Sequence, residues 1–65
     1  MKIMVNGDAR DVAGASLALA LEELGFGGAV VATALNGEFV ASGARADTRL
    51  SDGDRLEVLA PMQGG

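Results

Sequence analysis

The sequence predicts an α+β domain in which one helix packs on one face of a mixed sheet. Three observations lead there. Two Asn-Gly pairs, Asn6-Gly7 and Asn36-Gly37, each lie between short stretches of strand character, and Asn-Gly is the pair that best tolerates a tight hairpin turn. A single run rich in Ala, Leu and Glu, Leu17 to Leu24, has helical apolar spacing. A cleanly alternating stretch, Arg55 to Ala60, follows near the far end. The order is therefore β-β-α-β-β-β, and two hairpins with one helix between them make a two-layer architecture.

Each element has its own grounds. Met1 to Val5 reads as a strand with Met1, Ile3 and Val5 on one face and Lys2 and Met4 on the other. After Asn6-Gly7, Asp8 to Val12 is the short, half-polar return strand. Ser16 is a good helix N-cap, because its hydroxyl can accept a hydrogen bond from an orphan backbone N–H. Leu17, Leu21 and Leu24 form one apolar stripe, with Glu22 and Glu23 off it. Gly25 offers a left-handed C-cap, and Phe26 is placed to fold back on the helix end.

Val30 to Leu35 is apolar and β-branched, which predicts a well-buried strand, and Asn36-Gly37 turns it into Glu38 to Ala41. Ser42 to Leu50 reads as polar and irregular, with Leu50 plugging the core. Asp52-Gly53-Asp54 is a turn. In the last strand Leu56, Val58 and Ala60 point inward and Arg55 and Glu57 outward. Pro61 ends that strand because it cannot donate to a ladder. Residues 1–60 are thus expected to form the domain and residues 61–65 a flexible tail, since nothing in Met62-Gln63-Gly64-Gly65 would hold it down.

Composition narrows the function. A chain of 65 residues buries only ~60% of its unfolded surface, so the 49% hydrophobic content must pack well. There is no cysteine and no histidine. A thiol nucleophile, a histidine base and a Cys/His metal site are therefore excluded, and no metal ligands are assigned. A domain this small has little room for the roughly 300 Å³ or more of a ligand pocket. An independent enzyme is not expected, no catalytic residue is assigned, and a module used by other proteins fits better.

The net charge of −4 and the scattered Lys2, Arg10, Arg45, Arg49 and Arg55 disfavour nucleic acid. The aromatic residues are Phe26 and Phe39 alone, which gives no stacking platform for single strands. MKIMVNGD does not read as a signal peptide, and no stretch approaches the ~20 apolar residues of a membrane span. A cytoplasmic protein without membrane partners is the expectation.

This element order, at this length, resembles the β-grasp or ubiquitin-like fold, in which the last strand lies parallel to the first in the middle of the sheet. More specifically, MKIMVNG, SLALALEELG, VVATALNGEFV and DGDRLEVLAPMQGG together resemble the sulfur carrier of thiamine biosynthesis, the ThiS family, over the whole chain. Each stretch alone is weakly specific, and a terminal glycine pair alone is also what a frayed end or an added scar looks like. Gly64-Gly65 placed five positions after a strand, in this pattern, is much more specific.

The resemblance implies a chemistry. The terminal carboxylate of Gly65 would attack the α-phosphorus of ATP in a partner's site, expelling pyrophosphate. A persulfide or sulfide would then displace AMP and leave a thiocarboxylate on Gly65, so no cysteine is required in the carrier. Gly64 and Gly65 lack Cβ atoms and suit a narrow channel. Pro61, Met62 and Gln63 complete a tail that spans at most ~17 Å, at roughly 3.3–3.6 Å per residue.

The implied partners are a ubiquitin-activating-like adenylyltransferase (ThiF-like) that uses Mg-ATP, a thiazole synthase (ThiG-like) that accepts the sulfur, and an upstream cysteine desulfurase or sulfurtransferase. No cofactor is expected to reside in the carrier itself. The small subunit of molybdopterin synthase shares the fold and the glycine end but usually runs longer. Other thiocarboxylate carriers and ubiquitin-like modifiers remain alternatives, as does a β-grasp binding module that is never activated.

If the first and last strands are neighbours, Met4 and Leu59 point away from the helix and leave apolar groups on the open sheet face, a candidate docking surface. Isolated exposed apolar residues are also ordinary. Glu22, Glu23, Asp47, Asp52, Asp54 and Glu57 either steer the domain toward a basic partner or simply form solvated faces and turns.

Overall fold

Both hairpins form where the Asn-Gly pairs place them. In the computed structural model, which describes residues 1–60, β1 (Lys2–Val5) pairs antiparallel with β2 (Asp8–Asp11). Likewise β3 (Ala32–Leu35) pairs with β4 (Glu38–Val40). Asn6 and Asn36 sit at φ of 51° and 52°, followed by Gly7 and Gly37 at 89° and 85°. Two successive left-handed residues match the right-handed twist of the flanking strands, which is why these turns take Asn-Gly.

Helix α1 (Leu17–Glu23) starts and stops on local chemistry. The Leu19 N–H donates to Ser16 Oγ at 3.2 Å, satisfying one of the orphan donors of the first turn. At the other end Gly25 adopts φ of 93°. The Gly25 N–H then donates to the Glu22 carbonyl at 3.2 Å and the Phe26 N–H to the Leu21 carbonyl at 2.8 Å. This is a Schellman termination, and it packs Phe26 against the core as expected.

The last strand, β5 (Arg55–Leu59), lies in the centre of a five-stranded sheet of order β2-β1-β5-β3-β4. It runs parallel to β1 and antiparallel to β3. That is the β-grasp arrangement. The sheet contributes Ile3, Val5, Leu56 and Val58 to the core, and α1 contributes Leu17, Ala20 and Leu21. Val12 and Leu50 complete it, so Leu50 is the plug the sequence predicts.

Four expectations need correction. The strand predicted from Val30 begins at Ala32, and Val30 is 80% exposed. Its partner β5 ends at Leu59 opposite Ala32, so among the described residues Val30 has no strand to lie against. The strand is not well buried either, because alternate residues face away from the helix and Thr33 alone among its residues is fully enclosed. Ala60 is exposed rather than inward, since it lies beyond that same last pair. Finally, Ser42–Asp47 is a 3₁₀ helix, not irregular chain. It buries none of its residues and is tied down by polar contacts, so no apolar period announces it.

Candidate functional site

The tail predicted to carry the chemistry begins two residues after Leu59, the last residue of β5, so the contacts that hold β5 come first. Two side chains clip its backbone. At its start, the Arg55 N–H donates to Asn36 Oδ1 at 2.9 Å, while the Asn36 N–H donates to the Arg55 carbonyl at 2.7 Å. Near its end, the Val58 N–H donates to Asn6 Oδ1 at 2.9 Å and Asn6 Nδ2 donates to the Val58 carbonyl at 3.1 Å. Both clips come from the turn asparagines, whose left-handed backbone lets a short side chain reach sideways to the next strand.

One face of the sheet is open. On β5 the residues alternate, so Arg55, Glu57 and Leu59 lie opposite the buried Leu56 and Val58. The register places Ala34 and Phe39 in the same cross-strand row as Glu57, and Ala32 beside Leu59. Phe39 is 74% exposed and Leu59 68% exposed. Ala32, Ala34, Phe39 and Leu59 line one shallow apolar hollow, and Val30 joins Ala32 and Leu59 in a second at the point where the chain leaves the sheet.

Met4 lies on the same open face but not in this cluster. It pairs with Arg55, which puts it about 13 Å from Leu59 along the strand at roughly 3.3 Å per residue. Glu57 intervenes, and Met4 is half-buried in a separate depression that it lines with Asn6, Gly7, Arg55 and Glu57. Leu59 thus belongs to an apolar patch, and Met4 to its polar flank. Phe39, Ala32 and Ala34 were not singled out from the sequence. The signal existed: a two-residue turn at Asn36-Gly37 fixes the Ala34–Phe39 pairing once β3 is placed in the sheet.

Of the six acidic residues weighed as steering charges, three have local work. Asp52 Oδ1 accepts the Lys2 N–H at 2.7 Å and Asp54 Oδ2 accepts the Ser51 N–H at 2.7 Å. Glu23 grips the loop before the helix, accepting the N–H groups of both Ala13 and Gly14. The terminal groups proposed as the reactive site, Gly64 and Gly65, and the tail positions Pro61, Met62 and Gln63, lie outside the described residues. Among the described residues no helix is long and apolar enough to cross a membrane, and no three His, Cys, Asp or Glu side chains gather as a metal site.

The model of the ThiS family matches residues 3–65, which takes in all of the sheet but Lys2, and Gly64-Gly65. The chain belongs to the ThiS family. The sulfur carrier protein ThiS of Thermus thermophilus is 41% identical over 63 residues, covering 97% of this chain and 98% of its own. The crystal structure of the thiamine biosynthesis protein ThiS from Geobacter metallireducens superposes with a TM-score of 0.82 at 36% identity, covering all of both chains. A solution structure of the thiamine biosynthesis protein from the same organism gives a TM-score of 0.77 at 35% identity, over all of this chain and 88% of that one. These family structures share the mixed five-stranded sheet with one helix, and the β-grasp expectation holds.

Proposed function

We propose that this chain is a sulfur carrier of thiamine biosynthesis, with Gly65 as the residue that bears the sulfur. The observation that carries this reading is the end-to-end match to a relative named a sulfur carrier protein, within a family match that runs to Gly65. A carrier of this kind is a co-substrate and not itself the catalyst, which agrees with a chain that has no histidine or cysteine.

The chemistry asks little of the body. The Gly65 carboxylate attacks the α-phosphorus of Mg-bound ATP in an adenylyltransferase, the bond to pyrophosphate breaks, and an acyl-adenylate forms. Sulfide attacks the carboxyl carbon, AMP leaves, and a thiocarboxylate remains for a thiazole-forming acceptor. A desulfurase-type persulfide attacking instead forms an acyl disulfide, whose S–S bond a second thiol cleaves, freeing the thiocarboxylate and leaving the two thiols joined as a disulfide. The body's part is to dock, with the Phe39–Leu59 patch against a partner, and to deliver residues 61–65 to the reaction. This reading goes with a cytoplasmic protein.

The test is direct. The chain is incubated with the adenylyltransferase of its own cell, Mg-ATP and sulfide, and its intact mass is measured. A gain equal to one sulfur replacing one oxygen, localised to Gly65, is expected. An unchanged mass, or an end product joined to lysine side chains, overturns the proposal.

A further inference from the structure

We propose that Asn6 is a positioning residue for the tail: its side-chain amide forms the last rung holding β5, and so fixes where and in what direction the chain leaves the sheet. The proposal deepens the carrier reading and rests on it.

The geometry of the parallel edge is the starting point. β1 ends at Val5, while β5 continues to Leu59. The last backbone rung between them is the Asn6 N–H donating to the Leu56 carbonyl at 2.9 Å. Beyond it the first hairpin turns away, and the next backbone pair on β5, the N–H and carbonyl of Val58, would face that edge without a partner. Asn6 supplies both missing groups from one side chain, with Oδ1 accepting at 2.9 Å and Nδ2 donating at 3.1 Å. A primary amide presents a donor and an acceptor side by side, which is what one peptide unit of a strand presents. Asn6 therefore extends the ladder by a rung where the chain itself cannot.

On the other side of β5, Leu59 pairs with Ala32, the first residue of β3. Val58 and Leu59 are thus clamped from both sides just before the chain departs. Removing the amide moves the last held point on the β1 side back from Val58 to Leu56. That frees about 6.6 Å of strand edge at roughly 3.3 Å per residue. The reacting carboxyl must meet the α-phosphorus of ATP in near-attack geometry, where a displacement of about 1 Å can cost on the order of a hundredfold in rate. A loosened root lowers the fraction of docked carriers whose end is seated. It does not remove the Phe39–Leu59 patch that does the docking.

The molecule contains its own control. Asn36 has the same turn conformation and clips the same strand, but at Arg55, the end of β5 away from the tail. Asn6→Gly and Asn36→Gly both keep a residue that accepts positive φ, and each deletes one clip. Amide hydrogen exchange, thermal melting and ATP–pyrophosphate exchange with the adenylyltransferase are measured for both variants and the unmodified chain. Asn6→Gly is expected to speed exchange at the Val58 amide and to lower kcat on the order of tenfold, with an unchanged KM for the carrier. Asn6→Asp, which keeps the acceptor and loses the donor, falls between. Asn36→Gly lowers the melting temperature but leaves kcat alone.

An Asn6→Gly chain with normal turnover overturns the inference, as does an Asn36→Gly chain with an equal loss of kcat. If the unmodified chain supports no exchange at all, the carrier reading falls and the inference falls with it. Protection at Val58 still reports whether the rung exists.

Discussion

Arg45 reaches from the 3₁₀ helix to Thr33 in the middle of β3, its Nε donating to Thr33 Oγ1 at 3.0 Å. The guanidinium donates again through Nη2 to the Val31 carbonyl at 2.6 Å, and the Thr33 hydroxyl donates in turn to the Val40 carbonyl at 2.8 Å. One chain of hydrogen bonds thus joins the 3₁₀ helix, β3 and β4. Thr33 is 2% exposed, so its hydroxyl has no water to fall back on. Replacing Arg45 with Met keeps the aliphatic stem and removes the donors. This should cost about 1.5–3 kcal/mol, the range for hydrogen bonds to charged groups, read by urea denaturation. Lys should restore little, since it lacks the planar fork that serves two acceptors at once. A double-mutant cycle with Thr33→Val should return a coupling of about 0.5–3 kcal/mol.

Gly14 is required for room and not for its dihedral angles. A Cβ added there would stand 2.6 Å from Leu19 Cβ and 2.8 Å from Glu23 Oε2. It would push apart the helix and the loop that Glu23 ties down. Gly14→Ala is expected to destabilise the fold by about 1–3 kcal/mol, the usual cost of overpacking. In a domain of this size each kcal/mol lowers the melting temperature by about 4–8 °C, so thermal unfolding resolves it.

Partner binding should map to one half of the open sheet face. Leu59→Asp and Phe39→Asp remove exposed apolar area, so folding stability should stay within about 0.5 kcal/mol of the parent. Affinity for the adenylyltransferase, measured by titration calorimetry, should fall by about tenfold or more, as for residues that anchor an interface. Met4→Asp should weaken binding less, because Met4 sits apart from Phe39 and Leu59, in a depression it lines together with the charged Arg55 and Glu57. A larger effect at Met4 than at Leu59 would relocate the contact toward the first hairpin.

Adding one residue after Gly65 should abolish thiocarboxylate formation and leave the melting temperature unchanged. Among the described residues the hydrophobic core runs from Ile3 to Val58, which is the part of the chain this expectation rests on. Retained sulfur loading would mean that the reactive carbon is elsewhere.

Features set by neighbours in sequence were legible before the structure. The Asn-Gly turns, the Ser16 cap and the Gly25 termination each depend on contacts within a few residues, and each is found. The alternation of β5 identified Leu56 and Val58 as core and Leu59 as exposed. Ala20 escaped the helix stripe although it stands three residues from Leu17 and is fully buried. Its small side chain carries a weak hydropathy signal at a position the spacing already marks.

What stayed hidden depends on long-range pairing. The exposure of Val30 follows from where β5 stops, and the second role of Asn6 follows from a contact across 52 residues. The apolar patch is split over β3, β4 and β5, with no two of Ala32, Ala34, Phe39 and Leu59 adjacent in sequence. The 3₁₀ helix is held by Arg45 and by the Thr48 hydroxyl on the Ala44 carbonyl. Polar ties of that kind leave no periodic trace.

The middle place of β5 in the sheet also governs how the molecule comes into being. A nascent chain halted before Arg55 has two hairpins with an empty slot between them, and an isolated hairpin is marginally stable at best in water. Neither half can settle until that final strand has left the ribosome and threaded the gap. The pairings that β5 makes with β1 and β3 then form across large sequence separations, in one cooperative step. Truncated products of synthesis would therefore lack the folded body that a partner recognises, and would be left to proteolysis instead of competing for it.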